Sequence, residues 1–234
     1  MENFIEKTPW KDDFEVKQSK FITKVYAWMC LALIVTGLTS MWVVNTPEVL
    51  QLVTMSRYSM WVLFGLELAT VWYITSVLDR ISASKAMLLF MAFAIINGLS
   101  LSVIFLLFTA QSIMSTFLIA AGMFAVMSTY GYFTKNDLTK LGNLLMMAVI
   151  GLIIASLVNF FLESSMMHFI ISCVGVIVFT GLIAYDTQKI KEMFYIAQQD
   201  PETKDKIAIF GALNLYLDFI NLFTYLLNLT GDRD

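Results

Sequence analysis

Long apolar runs alternate along this chain with short charged segments, and each run is about as long as a bilayer is thick. A hydrocarbon core of about 30 Å is crossed by roughly 20 apolar residues of helix. Seven segments meet that length, at about 22–44, 60–78, 86–108, 112–133, 141–161, 167–188 and 208–229. The runs are continuous rather than alternating with period two, which excludes a membrane β-barrel. The very short links between the third and fourth runs, and between the fifth and sixth, predict antiparallel neighbours. Residues 1–20 are charged and mixed and lack the apolar core of a secretory signal. They read as a cytoplasmic tail ahead of a single seven-helix transmembrane domain over 21–234.

The basic residues orient that bundle, because loops on the cytoplasmic side are enriched in lysine and arginine. With the N-terminus inside, the inner segments hold Lys7, Lys11, Lys17, Lys20, Lys24, Arg80, Lys85, Lys135, Lys140, Lys189, Lys191, Lys204 and Lys206. Arg57 and Arg233 alone fall outside, a split of 13 to 2 among the 15 basic residues. The alternation holds only for seven crossings, which puts the C-terminus outside. Composition agrees: 59% of the chain is hydrophobic and 14% charged, against about 25% charged in a soluble domain. A surface this apolar is covered by lipid, not by water.

The acids left inside the runs are the candidate chemistry. Of 18 acidic residues, Glu67, Asp186 and Asp218 lie within or at the edge of an apolar segment. A carboxyl in lipid is costly and marks a functional position by default; the plainer alternative is a protonated acid bonded to a neighbouring helix. Asp218 belongs to a stripe. Asn214, Asp218, Asn221, Tyr225 and Asn228 recur at steps of 4, 3, 4 and 3, which places them on one helical face. Such a face turns toward protein or water and suits a pathway. Asp186 ends the sixth run within Ala184-Tyr185-Asp186-Thr187-Gln188, on the helix before. The two carboxyls, once side by side, would share a proton and titrate as a pair. Protonated, the pair joins two helices; deprotonated, it drives them apart.

Two stretches of these helices resemble the Bax-inhibitor (transmembrane Bax-inhibitor-motif) family, in its bacterial inner-membrane branch. One is Gly181 through Ile190, containing Tyr185-Asp186-Thr187-Gln188. The other is Leu215-Tyr216-Leu217-Asp218-Phe219-Ile220-Asn221-Leu222-Phe223. Ala121 through Lys135 is similar as well, and the likeness runs from about residue 20 onward. The resemblance implies a seven-helix bundle with the last helix near its centre. It implies a pH-sensitive calcium leak with Asp186 and Asp218 as sensor and gate, and a bacterial inner-membrane location. In some members an arginine near the end of helix 2 latches onto the aspartates, and Arg80 is the candidate here. Other members are linked to a membrane-bound AAA protease or to restraint of cell death.

Three functions are weighed on these residues. The first is a calcium leak gated by Asp186 and Asp218, lined by Asn214, Asn221, Tyr225, Asn228 and Glu67. Calcium prefers six to eight oxygens, so Asp186 and Asp218 make only a weak site, which suits an ion that must also leave. Calcium enters as permeant ion and no resident cofactor is expected. The second is a non-conducting regulator that binds another membrane protein. The third, an intramembrane aspartyl protease, lacks the Gly-x-Gly-Asp of such enzymes: Tyr216 and Leu217 precede Asp218. The chain is therefore not expected to be an enzyme or to bind nucleic acid. Cys30 and Cys173 read as small apolar residues and His168 as interfacial. Gly98 with Ser102, and Gly151 with Ala155, are expected at close helix contacts.

Overall fold

The computed structural model describes residues 9–54, 57–78, 80–196 and 200–232. Lys7 and Arg233, used above in reading the charges, lie outside them. The described residues form helices joined by short turns, with no strand among them: α1 (Pro9–Val44), α2 (Pro47–Thr54), α3 (Arg57–Val77), α4 (Ala83–Leu101), α5 (Ile104–Leu107), α6 (Ala110–Phe133), α7 (Thr139–Leu162), α8 (Ser165–Ile196) and α9 (Pro201–Thr230). Six spans are long and apolar enough to cross a membrane: Asp13–Val44, Ala83–Leu107, Ala110–Phe133, Thr139–Leu162, Ser165–Tyr195 and Pro201–Thr230. The second expected run is helical too, as α3, but its apolar stretch Val62–Val77 falls in a shorter class.

Helix ends follow from local chemistry. Ser82 accepts from Lys85 N at the start of α4, and Thr109 from Ser112 N at the start of α6. Asp200 accepts from Thr203 N at 2.9 Å, with Pro201 in the first turn of α9. These oxygens satisfy N–H groups that a helix start leaves without partners. Asp200 is held below the usual carboxylate range by the backbone N–H of Thr203, then by the Thr203 hydroxyl.

Two expected boundaries move. Helix α1 begins at Pro9, so residues 9–20 continue the first span as helix. The third run is not one helix over 86–108: it breaks after Leu101 and resumes for one turn at Ile104. At the break Val103 N bonds the Ser100 carbonyl three residues back, at 3.4 Å, and Ser102 Oγ takes the Leu99 carbonyl at 2.6 Å. The winding tightens there and the regular ladder stops. Phe108 then adopts extended backbone, φ −130° and ψ 144°, which re-aims the chain. The short link after it therefore does not make α4 and α6 packed neighbours. Helix α4 packs on α1, α3 and α9, whereas α6 packs on α8 and α9. The other short link behaves as expected, with α7 against α8.

Helix α9 is the axis of the bundle, touched by α1, α4, α6 and α8. In an apolar 18-residue stretch of α9, 67% of the residues are buried, against 11% in the matching stretch of α7 at the periphery. Small residues permit the close approaches. A Cβ on Gly131 of α6 would strike the backbone carbonyl of Ala184 in α8, and one on Gly98 of α4 would come within 2.8 Å of the Thr36 carbonyl in α1. Gly98 thus fulfils its expectation. Gly151 does not, because its helix face is open and nothing lies within 4 Å of the added carbon.

Candidate functional site

The Tyr185-Asp186-Thr187-Gln188 segment of α8 sends four consecutive side chains to four different neighbours, as a turn of 3.6 residues requires. The Tyr185 ring lies over Gly142 of α7, where any side chain would collide with it. The Asp186 carboxyl meets that of Asp218 on α9. Thr187, buried, bonds Ser128 Oγ of α6 at 3.0 Å, and Ser128 in turn meets the Tyr26 hydroxyl of α1. Gln188 closes the α6–α7 connection: its Oε1 accepts from Leu138 N at 2.9 Å and its Nε2 donates to the Asn136 carbonyl at 2.9 Å. Lys191, a turn further on, donates to the Tyr132 carbonyl at 2.8 Å.

Asp218 is 5% exposed, deep in the bundle. Its Oδ2 meets no amide, hydroxyl or ammonium donor among the described residues. A proton held between the two acids would satisfy that oxygen; without one, two negative charges would face each other at low dielectric. Lys189 is the nearby charge on the Asp186 side, and its ammonium also lies 5.5 Å from the centre of the Tyr185 ring. The sequence places these aspartates on successive helices, and the structure brings them into contact.

The α9 stripe is packed rather than open. Asn214, Asn221, Tyr225 and Asn228 are half-buried. Asn221 Nδ2 donates to Leu217 O of its own helix at 2.8 Å. Tyr225 stacks on Phe179 of α8 with ring centres 5.8 Å apart, and covers Gly175; its hydroxyl lies by Ser156 of α7. Of the stripe, Asp218 and Tyr225 thus meet α8, and Tyr225 also reaches α7. Arg80 sits exposed in the α3–α4 turn and makes no ion pair among the described residues. No group of three His, Cys, Asp or Glu side chains converges to hold a metal among the described residues, so Asp186 and Asp218 stand without a third acid. Cys30 and Cys173 are free thiols.

Glu67 belongs to a different centre, on the opposite side of α9. Its carboxyl lies by Ser100 and Asn97 of α4 and bears on Tyr216. The Tyr216 hydroxyl, fully buried, bonds Thr36 Oγ1 at 2.7 Å and Asn97 Oδ1 at 3.0 Å. Thr36 Oγ1 also lies 3.0 Å from the Ala94 carbonyl, so its one proton is divided between that carbonyl and the Tyr216 oxygen, and Ser40 Oγ donates to the Gly98 carbonyl at 2.8 Å. Phe90 and Phe93 meet the Tyr216 ring edge-on. Sequence reasoning misses this knot because hydroxyls and a single Asn, spread over three helices, form no stripe on any one of them. The available signal is Tyr216 itself, since a tyrosine amid Leu and Phe needs a partner for its hydroxyl.

Two cavities flank the site, and neither aspartate lines them. One is a polar depression of about 250 Å³ beside Gln188 and Lys191, which also holds Lys135, Asp137 and Glu192. The other is a groove of about 820 Å³ between α1 and α6.

Comparison with known proteins gives a consistent result. Residues 18–234 match the family described as inhibitor of apoptosis-promoting Bax1. The inner membrane protein YbhL of Escherichia coli K12 is 44% identical, over 91% of this chain and 92% of its own. The protein RP147 of Rickettsia prowazekii is 42% identical, over 94% of this chain and 92% of its own. A Borreliella burgdorferi protein is 40% identical over 98% of each.

Proposed function

The chain belongs to the family of inhibitors of apoptosis-promoting Bax1, and on that premise we propose that it is a pH-gated calcium leak of the bacterial inner membrane. It is a multi-pass helical membrane protein. In this reading α3 completes seven crossings, the N-terminus is cytoplasmic and the C-terminus outside. The alternation of basic residues supports that arrangement.

The observation that carries the reading is the carboxyl contact between Asp186 and Asp218, which ties α8 to the central helix α9. A shared proton holds the two helices together and the leak shut. Loss of that proton leaves like charges in contact, which favours separation of α8 from α9 and opens a path along Asn214, Asn221, Tyr225 and Asn228. Flux therefore rises with pH. Two carboxylates and a few amide oxygens bind calcium weakly, which a conducting path requires. Arg80 is a latch only in a conformation that carries it from its exposed turn to the pair. Glu67, expected to line the path, lies instead on the far side of α9 by Asn97 and Ser100, away from this stripe.

The test is calcium entry into proteoliposomes from about pH 6 to about pH 8, comparing the native chain with Asp186→Asn and Asp218→Asn. Entry that rises with pH in the native protein, and loses that dependence in both variants, supports the leak. No entry above that of empty vesicles at any pH rejects it. The packing of Tyr225 against α7 and α8 favours one other reading: a non-conducting regulator bound to another membrane protein, such as a membrane-bound AAA protease. In that case the aspartate pair sets the shape of the bundle that the partner meets.

A further inference from the structure

Helices α1 and α6 are both membrane spans, and between them the bundle leaves a groove of about 820 Å³. That lies in the size range of sites that take small molecules, roughly 300–1,000 Å³. Met29 and Leu33 of α1 and Phe117, Ala121, Phe124 and Ala125 of α6 make its apolar length. Toward the other end the lining turns polar, with Ser19, Thr23, Tyr26, Ser128 and Thr129.

Charge gathers at that polar end. Tyr132 lines the groove, and the Lys191 ammonium stands 5.0 Å from the centre of its ring. Lys191 donates one hydrogen bond, to the Tyr132 carbonyl; an ammonium carries three donors, so two are left. Lys20, exposed, follows Ser19 on the facing helix. The adjoining depression adds Lys135, offset by Asp137 and Glu192. An apolar slot inside the bilayer, ending in hydroxyls and lysines, matches one class of molecule. Basic pockets between transmembrane helices take lipid headgroups, and hydrocarbon fills what protein leaves open.

We propose that the α1–α6 groove is a phospholipid site, with one acyl chain along Met29, Leu33, Phe117 and Ala125 and the phosphate of an anionic headgroup beside Lys191 at the Tyr132 end. The site rests on the chain crossing a bilayer and not on its conducting an ion. It bears on the aspartates all the same. Tyr26 and Ser128 of the lining lead through hydroxyl contacts to buried Thr187, the residue after Asp186. An acyl chain in the slot fixes the spacing of α1 and α6 and with it the seat of that segment of α8.

The experiment uses the full chain reconstituted in phosphatidylcholine or phosphatidylglycerol vesicles that contain a phospholipid with a photoactivatable acyl chain. Adduct positions are mapped by peptide mass spectrometry. The proposal expects adducts concentrated on residues 26–33 and 117–129, several-fold above the lipid-facing residues Leu144, Met147 and Ile154 of α7, and denser in phosphatidylglycerol. Ala125→Trp fills the slot and removes the groove adducts while sparing those on α7; Thr129→Trp serves if that variant does not fold. Even labelling of groove and α7, or labelling that Ala125→Trp leaves unchanged, overturns the proposal. Equal labelling in the two lipids overturns the anionic headgroup. A Cys30-to-Cys30 disulfide between copies, with groove adducts absent, gives the groove to a second copy of the chain and overturns the lipid. Calcium flux is not read in any arm, so failure of the leak leaves this test intact.

Discussion

Tyr216 and Asp218 stand two residues apart on α9 and face opposite ways: the hydroxyl reaches Thr36 and Asn97 on α1 and α4, the carboxyl reaches Asp186 on α8. Two residues of α-helix turn about 200°, so the central helix carries one polar contact on each flank. Whatever moves α9 toward one of these contacts moves it away from the other.

Removing the hydroxyl while keeping the ring isolates one flank. Tyr216→Phe retains the edge-on packing against Phe90 and Phe93. It leaves Asn97 Oδ1 without its donor, at a cost of about 1–3 kcal/mol. Thermal unfolding in detergent should drop accordingly. In a double-mutant cycle with Thr36→Val, the two losses should fall short of adding, because both report the same bond.

Gln188→Ala should uncouple the α6–α7 connection from α8. The side chain is 8% exposed and satisfies Leu138 N and the Asn136 carbonyl at once. Leaving the buried Leu138 N–H unpaired costs about 1–3 kcal/mol, whereas Asn136 is exposed and its carbonyl can turn to water. Limited proteolysis should then cut between residues 134 and 138 well before the native chain is cut.

Glycine substitutions should divide by location. Gly131→Ala drives a carbon into the Ala184 carbonyl, so α6 and α8 must part; overpacking of this kind costs about 1–3 kcal/mol. Ala184 is two residues from Asp186, so the same change should alter the pH response of whatever activity the pair controls. Gly151→Ala and Gly122→Ala have nothing within 4 Å and should stay within about 0.5 kcal/mol of the native protein. Melting temperatures of the three variants check the contrast.

Acid should fray the start of α9. Asp200 accepts from the Thr203 N–H and hydroxyl, and these bonds lower its pKa from the ordinary value of about 3.9. A depressed acid contributes above the unfolded value and loses its contribution as pH falls through the folded one. Hydrogen exchange at Thr203 and Lys204 should therefore be slow at neutral pH and quicken only in strong acid. In Asp200→Ala it should be fast throughout.

How much of this is legible in sequence depends on how many helices a feature needs. The spans at 112–133 and 141–161 agree with α6 and α7 to within a few residues, because apolar length alone sets them. Asp186 and Asp218 stand out because a carboxyl among Leu, Ile and Phe is rare. The break at Ser102 does not stand out: no proline or glycine occupies it, and a serine that ties its own helix carbonyl looks like any other small residue. Nor does the knot around Tyr216, whose partners come from α1 and α4. Arg80 illustrates the reverse. Its charge is conspicuous in sequence, while its side chain lies exposed in the α3–α4 turn.

Helix α1 runs unbroken for 36 residues, about 54 Å at 1.5 Å per residue, against a hydrocarbon core of about 30 Å. The surplus is braced: Phe14 and Phe21 clasp Phe194 near the end of α8, with ring centres 5.4 Å and 5.3 Å apart. Such a rod works as a tiller. A sideways pull on its outer turns is delivered as torque to the helices it packs on, α4 and α9 above all, without any strand, loop or hinge to absorb it on the way.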